Sequence, residues 1–156
     1  MDTMISELHI KDAPAMKYFG ACLAKHVRPA TSFWLQGPLG AGKTTLCQGL
    51  IQGLGYKQAV KSPTFTLVNS YTIGQLLVHH FDFYRVCDPY EFDLIGGHDY
   101  FANNAFCVIE WPERAEAMLP EPTLSINLAI EKHSRQLKMA SNSEYSVEKI
   151  IEDFKS

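Results

Sequence analysis

Closely spaced cysteines are missing from this sequence, although it contains four cysteines, Cys22, Cys47, Cys87 and Cys107. No two of them have the short spacing of a zinc knuckle or of a redox motif. Each lies among apolar neighbours, so we expect buried, reduced thiols. A chain of 156 residues can bury roughly 70% of its unfolded surface. It therefore needs neither a disulfide nor a structural metal to fold.

An excess of positive charge and a long apolar run are also missing. The net charge is -3, from 14 basic and 17 acidic residues, whereas a protein that binds nucleic acid on its own is usually basic. No apolar run approaches the ~18 residues that span a membrane. The first residues have no basic segment followed by an apolar core, so they do not predict a signal peptide. We expect a cytoplasmic protein with no membrane contact, and one domain over residues 1–156.

Predicted strands and helices alternate along the chain. Apolar runs and β-branched residues predict strands at 7–10, 32–36, 64–71, 76–83, 105–109, 124–130 and 136–139. Capping signals and apolar periodicity predict helices at 12–27, 44–54, 88–97, 112–118 and 146–154. This alternation predicts an α/β fold: a three-layer sandwich with a mostly parallel central sheet, closed by an antiparallel pair formed by the last two strands.

A glycine-rich segment lies between the strand at 32–36 and the helix at 44–54. Residues 37–44 read GPLGAGKT, which matches the phosphate-binding loop (P-loop) pattern G-x-x-x-x-G-K-[ST]. Glycines let the backbone wrap closely around a phosphate, and the following helix points its positive end at the same group. Lys43 would place a charge near the β and γ phosphates, and the Thr44 hydroxyl can bind Mg²⁺. The segment therefore predicts a site for ATP and magnesium.

Two carboxylates end apolar strands of the predicted sheet. Asp82 follows the run that begins at Leu76, and Glu110 follows the run at 105–109. Parallel strands of open α/β sheets place such ends beside the bound ligand. We assign Asp82 to the magnesium shell. Glu110 is a second magnesium contact or the carboxylate that orients the attacking water, and the sequence leaves those two roles open.

Three further features near these carboxylates are less specific. Thr64, in the segment Ser-Pro-Thr, is a candidate contact of magnesium or the γ-phosphate, although the segment is also an ordinary turn before a strand. Arg85 is a candidate phosphate or partner contact, but a surface ion pair is the default for an arginine. His79 and His80 are adjacent on a predicted strand, so their side chains face opposite sides and cannot share one metal.

Four segments together resemble the bacterial TsaE (YjeE) family, the ATPase of tRNA threonylcarbamoyladenosine biosynthesis. They are 37–45 (GPLGAGKTT), 62–66 (SPTFT), 80–85 (HFDFYR) and 109–114 (IEWPER). The resemblance implies a small cytoplasmic P-loop protein that acts with two partners, the TsaD transferase and its paralogue TsaB. It further implies that the chain hydrolyses ATP to sustain turnover of that complex. The chain would then act on tRNA indirectly, through the complex.

The resemblance also implies roles for individual residues. Asp82 and Glu110 are the essential acidic pair, with Lys43 as the third catalytic residue, and Thr44 joins the acidic pair as a metal ligand. Pro38 departs from the family, which usually has an acidic or polar residue there. The residues expected to contact the nucleotide are Gly37, Leu39, Gly40, Ala41, Gly42, Lys43, Thr44, Thr45, Thr64 and Trp111.

Other classes of P-loop protein are less consistent with the sequence. A small-molecule kinase usually needs an arginine-rich lid, and the chain has only four arginines. A GTPase would need an Asn-Lys-x-Asp motif, which is missing, and the D-x-x-G match at Asp93–Gly96 falls inside a predicted helix. A non-catalytic binding module controlled by nucleotide differs little from the family interpretation, because slow hydrolysis regulated by a partner is compatible with both. Because no arginine is a secure arginine finger, we expect weak hydrolysis by the chain alone.

Overall fold

One seven-stranded sheet lies at the centre of the computed structural model, which describes residues 4–142 and 146–156. Its strands are β1 (Met4–Ile10), β2 (Ser32–Gln36), β3 (Val68–Ile73), β4 (Leu76–Asp82), β5 (Phe106–Glu110), β6 (Leu124–Glu131) and β7 (Ser134–Ser141), in the order β1-β7-β6-β2-β5-β4-β3. The central strands β6, β2, β5 and β4 pair in parallel. The outer pairs, including β6 with β7, are antiparallel. The predicted sheet is confirmed.

The helices are α1 (Ala13–Ala24), α2 (Lys43–Gly53), α3 (Tyr90–Leu94) and α4 (Val147–Lys155), with 3₁₀ helices at Gly97–Phe101, Pro112–Arg114 and Glu116–Met118. The cap predicted at Asp12 is present, since its side chain accepts a hydrogen bond of 2.9 Å from the Ala15 N–H. The helix predicted at 112–118 is instead two short 3₁₀ helices. Among residues 4–142 and 146–156, no helix combines the length and apolar character needed to cross a lipid bilayer.

Helices cover both faces of the sheet, as a three-layer sandwich requires. Side chains alternate along β2, so Phe33 belongs to one buried cluster and Trp34 to the other. The first cluster includes Phe19 of α1 and Leu50 of α2. The second includes Phe92 of α3. This packing fixes the C-terminal ends of the parallel strands, where the P-loop and both carboxylates lie.

Two further local expectations are wrong. The strand expected from residue 64 begins only at Val68, because Leu67 has a positive φ of 68° and its N–H donates to the Pro63 carbonyl at 2.8 Å. Thr64 therefore lies in a turn. Cys87 is exposed, whereas the other three cysteines are buried as expected, and all four are free thiols.

Glycines bring α1 and α2 into close contact, and this contact supports the helix that follows the P-loop. A Cβ atom added at Gly49 would collide with the Lys17 carbonyl oxygen, and one added at Gly20 would collide with the Leu46 carbonyl oxygen. Both obstacles are helix backbone, which cannot turn aside as the end of a side chain can. The two helices can pack at this distance only because glycine stands at both positions.

Replacing Gly49 by alanine should therefore destabilise the protein, even though alanine is the better helix former. Overpacking of this kind costs about 1–3 kcal/mol. Urea denaturation should show a lower unfolding midpoint for Gly49→Ala. Gln52→Ala, on the same helix, is the control and should remain close to the parent protein. Equal stability of Gly49→Ala and the parent would contradict the close contact.

Candidate nucleotide-binding site

The P-loop connects β2 to α2 and has the backbone conformation that its glycines permit. Gly37 has a φ of 149° and Gly42 a φ of 107°, values that L-residues with a side chain rarely adopt. A Cβ atom at Gly37 would also collide with the Leu128 carbonyl oxygen. Gly42 precedes α2 and offers no side-chain cap. The first N–H groups of α2 therefore point toward the space where an anion would bind.

Lys43 is folded against this loop. Its side chain is buried, with the residue only 5% exposed, and its ammonium donates hydrogen bonds to the carbonyl oxygens of Gly37 and, at 3.0 Å, Pro38. The ammonium nitrogen lies 4.1 Å from the centre of the Trp111 ring. Burial lowers the pKa of Lys43, while the negative charge of Glu110 acts in the opposite direction. The loop thus holds one positive charge in its concave face.

The two carboxylates lie side by side, as expected from their strand ends. Asp82 pairs with Glu110 in the register of β4 and β5. The Thr44 hydroxyl donates to Glu110 Oε1 at 2.9 Å. The Thr64 hydroxyl donates to Asp82 Oδ2, also at 2.9 Å. Burial raises the pKa of Asp82, and the hydrogen bond from the Tyr84 N–H lowers it. One carboxylate therefore contacts the P-loop and the other contacts the Ser-Pro-Thr turn.

Behind Glu110 lies a polar contact that the sequence analysis did not find. His80 Nε2 is 2.6 Å from Glu110 Oε2, and both side chains are buried. Ligand-type atoms of Cys47, His80 and Glu110 lie within 4.8 Å of one another. Burial raises the pKa of the Cys47 thiol well above its ordinary value, and the charges of Glu110 and Asp82 raise it further. His79 faces the other side of the sheet, as expected, with its ring 4.8 Å from that of Tyr100.

A cavity of about 320 Å³ opens between the P-loop, the Thr64 turn and the ends of β4 and β5. It is lined by Leu39, Gly40, Ala41, Gly42, Lys43, Thr44, Thr45, Thr64, Asp82, Tyr84, Glu110 and Trp111. Every residue expected to contact the nucleotide or magnesium lines it except Gly37, whose carbonyl oxygen accepts a hydrogen bond from the Lys43 ammonium instead. Arg85, the candidate phosphate or partner contact, does not line it and lies 4.2 Å from the centre of the Phe65 ring. Tyr84 was not expected, and its ring lies 5.0 Å from that of Trp111. Trp111 reaches this position through a left-handed backbone, with a φ of 59°.

A second cavity, of about 140 Å³, adjoins the first behind the P-loop. It is lined by Asp12, Ala13, Met16, Gly40, Ala41, Gly42, Thr45, His133 and Arg135. The Arg135 guanidinium donates to the carbonyl oxygens of Ala41 at 3.1 Å and Gly40 at 3.2 Å. No local sequence pattern predicts this cavity, because α1 and the β6–β7 turn, which line it with the P-loop, are distant along the chain.

The strand, glycine loop and helix, together with carboxylates on neighbouring parallel strands, define the P-loop NTPase class of fold. The D-x-x-G match at Asp93–Gly96 does not add to this site, because it lies in α3 and the turn after it. The model of the family described as threonylcarbamoyl adenosine biosynthesis protein TsaE matches residues 10–137, and the chain belongs to this family. The resemblance seen in the sequence is confirmed.

Individual proteins that are similar to this chain in sequence or structure support the same family. A tRNA threonylcarbamoyladenosine biosynthesis protein TsaE from Haemophilus influenzae is 40% identical over 136 residues, covering 84% of this chain and 86% of its own. A protein of the same description from Treponema pallidum is 38% identical, covering 72% and 82%. The crystal structure of Bacillus subtilis YdiB superposes with a TM-score of 0.79 at 26% identity, covering 99% of this chain and 97% of that one.

Proposed function

We propose that this chain is a magnesium-dependent ATPase that acts in the biosynthesis of threonylcarbamoyladenosine in tRNA. The observation that carries the proposal is the arrangement of one cavity. Lys43 and Thr44 of the P-loop face Glu110 and Asp82 across it, with the Thr44–Glu110 hydrogen bond at 2.9 Å. This is the set of groups that P-loop NTPases use to hold a nucleotide and its metal. The description of the relatives supports the pathway.

Magnesium fits the donor set of this cavity. Thr44, Asp82 and Glu110 offer hydroxyl and carboxylate oxygens, which are the ligands that Mg²⁺ prefers. When bound there, Mg²⁺ would neutralise charge on the phosphates. The Thr44–Glu110 contact supports a magnesium role for Glu110. Asp82 would join the same magnesium shell while it accepts the hydrogen bond from Thr64. The position of the Ser-Pro-Thr turn would then depend on whether the γ-phosphate is present.

The second cavity supports a position for the base and ribose. It shares Gly40, Ala41, Gly42 and Thr45 with the first cavity, so a nucleotide with phosphates on the P-loop can extend into it. Arg135 fixes the loop backbone between the two cavities through its bonds to Gly40 and Ala41. The proposed nucleotide therefore lies across the loop, with its base near Ala13 and His133.

Filling the second cavity should separate base binding from phosphate binding. Ala13→Trp is expected to weaken ATP binding at least about tenfold. The indole would fill the cavity, and a base that is no longer buried there loses more than ~1.4 kcal/mol of binding free energy. Binding of inorganic triphosphate should not change. Isothermal titration calorimetry measures both ligands. Lys17→Trp, on an exposed position of the same helix, is the matched control, and equal ATP affinity of the two variants would contradict this position of the base.

The proposed partners are TsaD and TsaB in the cytoplasm. The chain would associate with tRNA indirectly, through the complex with these two proteins. A net charge of -3 does not favour binding of tRNA by the chain alone. None of the described residues that line the main cavity is an arginine. An arginine finger, which stabilises charge during phosphoryl transfer, would then come from a partner. This supports hydrolysis that is weak alone and stronger in the complex.

Nucleotide binding and turnover test the proposal. Calorimetry with ATP should show binding that tightens when Mg²⁺ is added, and GTP should compete poorly. ATP hydrolysis should require no small-molecule acceptor. Turnover that starts only when a nucleoside or sugar is added would indicate a kinase, and equal use of GTP would indicate a GTPase.

A further inference from the structure

The imidazole of His80 contacts the carboxylate of Glu110. His80 is 0% exposed, and its Nε2 lies 2.6 Å from Glu110 Oε2. The other ring nitrogen, Nδ1, has no hydrogen-bond partner among the residues that the structure describes. A buried polar side chain with one charged partner is fixed in place mainly by that partner. His80 therefore belongs to the same polar cluster as the candidate site.

The direction of this hydrogen bond follows from its surroundings. A carboxylate oxygen accepts, so Nε2 must carry a hydrogen. His80 is therefore the donor, through Nε2, to Glu110 Oε2.

Both carboxylate oxygens of Glu110 are thus held by a donor from a different element. Thr44, at the start of α2, donates to Oε1 at 2.9 Å, and His80, on β4, holds Oε2. A glutamate side chain has several rotatable bonds, and two opposed donors leave the carboxylate one orientation. Without His80, Oε2 would be a buried carboxylate oxygen that must turn toward another donor, such as the nearby Lys43 ammonium.

We propose that His80 is a positioning residue that fixes the Glu110 carboxylate toward Thr44 and the nucleotide cavity. The inference rests on the proposed function, because it assumes that Glu110 contacts magnesium there. Cys47 lies within the same cluster, with its sulfur within 4.8 Å of the ligand-type atoms of His80 and Glu110.

Three variants separate positioning from packing. His80→Leu removes the donor, and His80→Gln keeps an amide N–H at nearly the distance of Nε2. His79→Leu is the matched control, because His79 is the buried neighbour on the same strand whose ring faces Tyr100 on the opposite side of the sheet. Thermal unfolding establishes that each variant is folded before binding is measured.

Calorimetry then gives the gain in ATP affinity caused by Mg²⁺, and single-turnover assays give the hydrolysis rate. Removing a residue that orients a metal ligand typically costs about 10- to 100-fold in metal affinity or activity. We expect a loss in that range for His80→Leu in both readouts, with unchanged ATP binding in the absence of Mg²⁺. His80→Gln should recover most of the loss, and His79→Leu should behave as the parent.

A double-mutant cycle decides whether His80 acts through Glu110. In a Glu110→Ala background, adding His80→Leu should change neither readout further. An equal loss in that background, or folded His80→Gln as impaired as His80→Leu, would overturn the proposal. If the parent protein binds and hydrolyses ATP but His80→Leu matches His79→Leu, this inference alone fails. If the parent neither binds nor hydrolyses ATP, the proposed function fails and the inference fails with it.

Discussion

Replacing Lys43 by alanine is expected to abolish tight ATP binding. Hydrogen bonds to charged groups contribute about 1.5–3 kcal/mol each, so losing the ammonium should weaken binding roughly 100-fold or more. Lys43 lies in the concave face of the loop, 5% exposed and bonded to loop carbonyls, beside the space where a phosphate would bind. Isothermal titration calorimetry with ATP and Mg²⁺ measures the effect.

Two controls show whether such a loss is specific. Lys57→Ala removes an exposed lysine away from the cavity and should leave the affinity unchanged. Because Lys43 also holds the carbonyls of Gly37 and Pro38, thermal unfolding must show that Lys43→Ala remains folded. Unchanged affinity in a folded Lys43→Ala protein would refute the assignment of the phosphate site.

Glu110→Gln is expected to remove most hydrolysis while leaving the protein able to bind ATP. The substitution keeps the size of the side chain but takes away the negative charge that faces Thr44. Loss of a group that acts directly in the reaction typically lowers the rate about 10²- to 10⁴-fold, and we expect a loss in this range. Affinity for ATP without Mg²⁺ should stay close to that of the parent, since the P-loop is intact.

The comparison variant is Glu116→Gln, which removes an exposed carboxylate from a nearby 3₁₀ helix. Single-turnover assays at saturating ATP compare the two variants. Equal rates for Glu110→Gln and Glu116→Gln would mean that Glu110 has no part in hydrolysis, and Asp82 would then be the remaining acidic candidate.

The central features of the fold were predictable because they follow from local chemistry. The glycines of the loop, the apolar strand before it and the helix after it specify one supersecondary unit. The adjacency of Asp82 and Glu110 followed from two apolar strands that end in a carboxylate, since parallel strands end at the same edge of a sheet. The register of β4 and β5 pairs these two residues directly.

What the sequence could not predict depends on long-range contacts and special backbone geometry. The turn at Thr64 depends on the positive φ of Leu67, which no glycine or proline at that position signals. The second cavity depends on Arg135 reaching the P-loop from β7. One signal for His80 was available: it lies two residues before Asp82, so both side chains face the same side of a strand.

The most direct test of the proposed function is ATP hydrolysis by the purified protein, measured alone and with a TsaB–TsaD pair, with Glu110→Ala as the control. The proposal predicts slow turnover alone and stimulation by the pair, lost in Glu110→Ala. Turnover that is as fast alone as with the pair, or that appears only when a small-molecule acceptor is added, would contradict a partner-dependent ATPase.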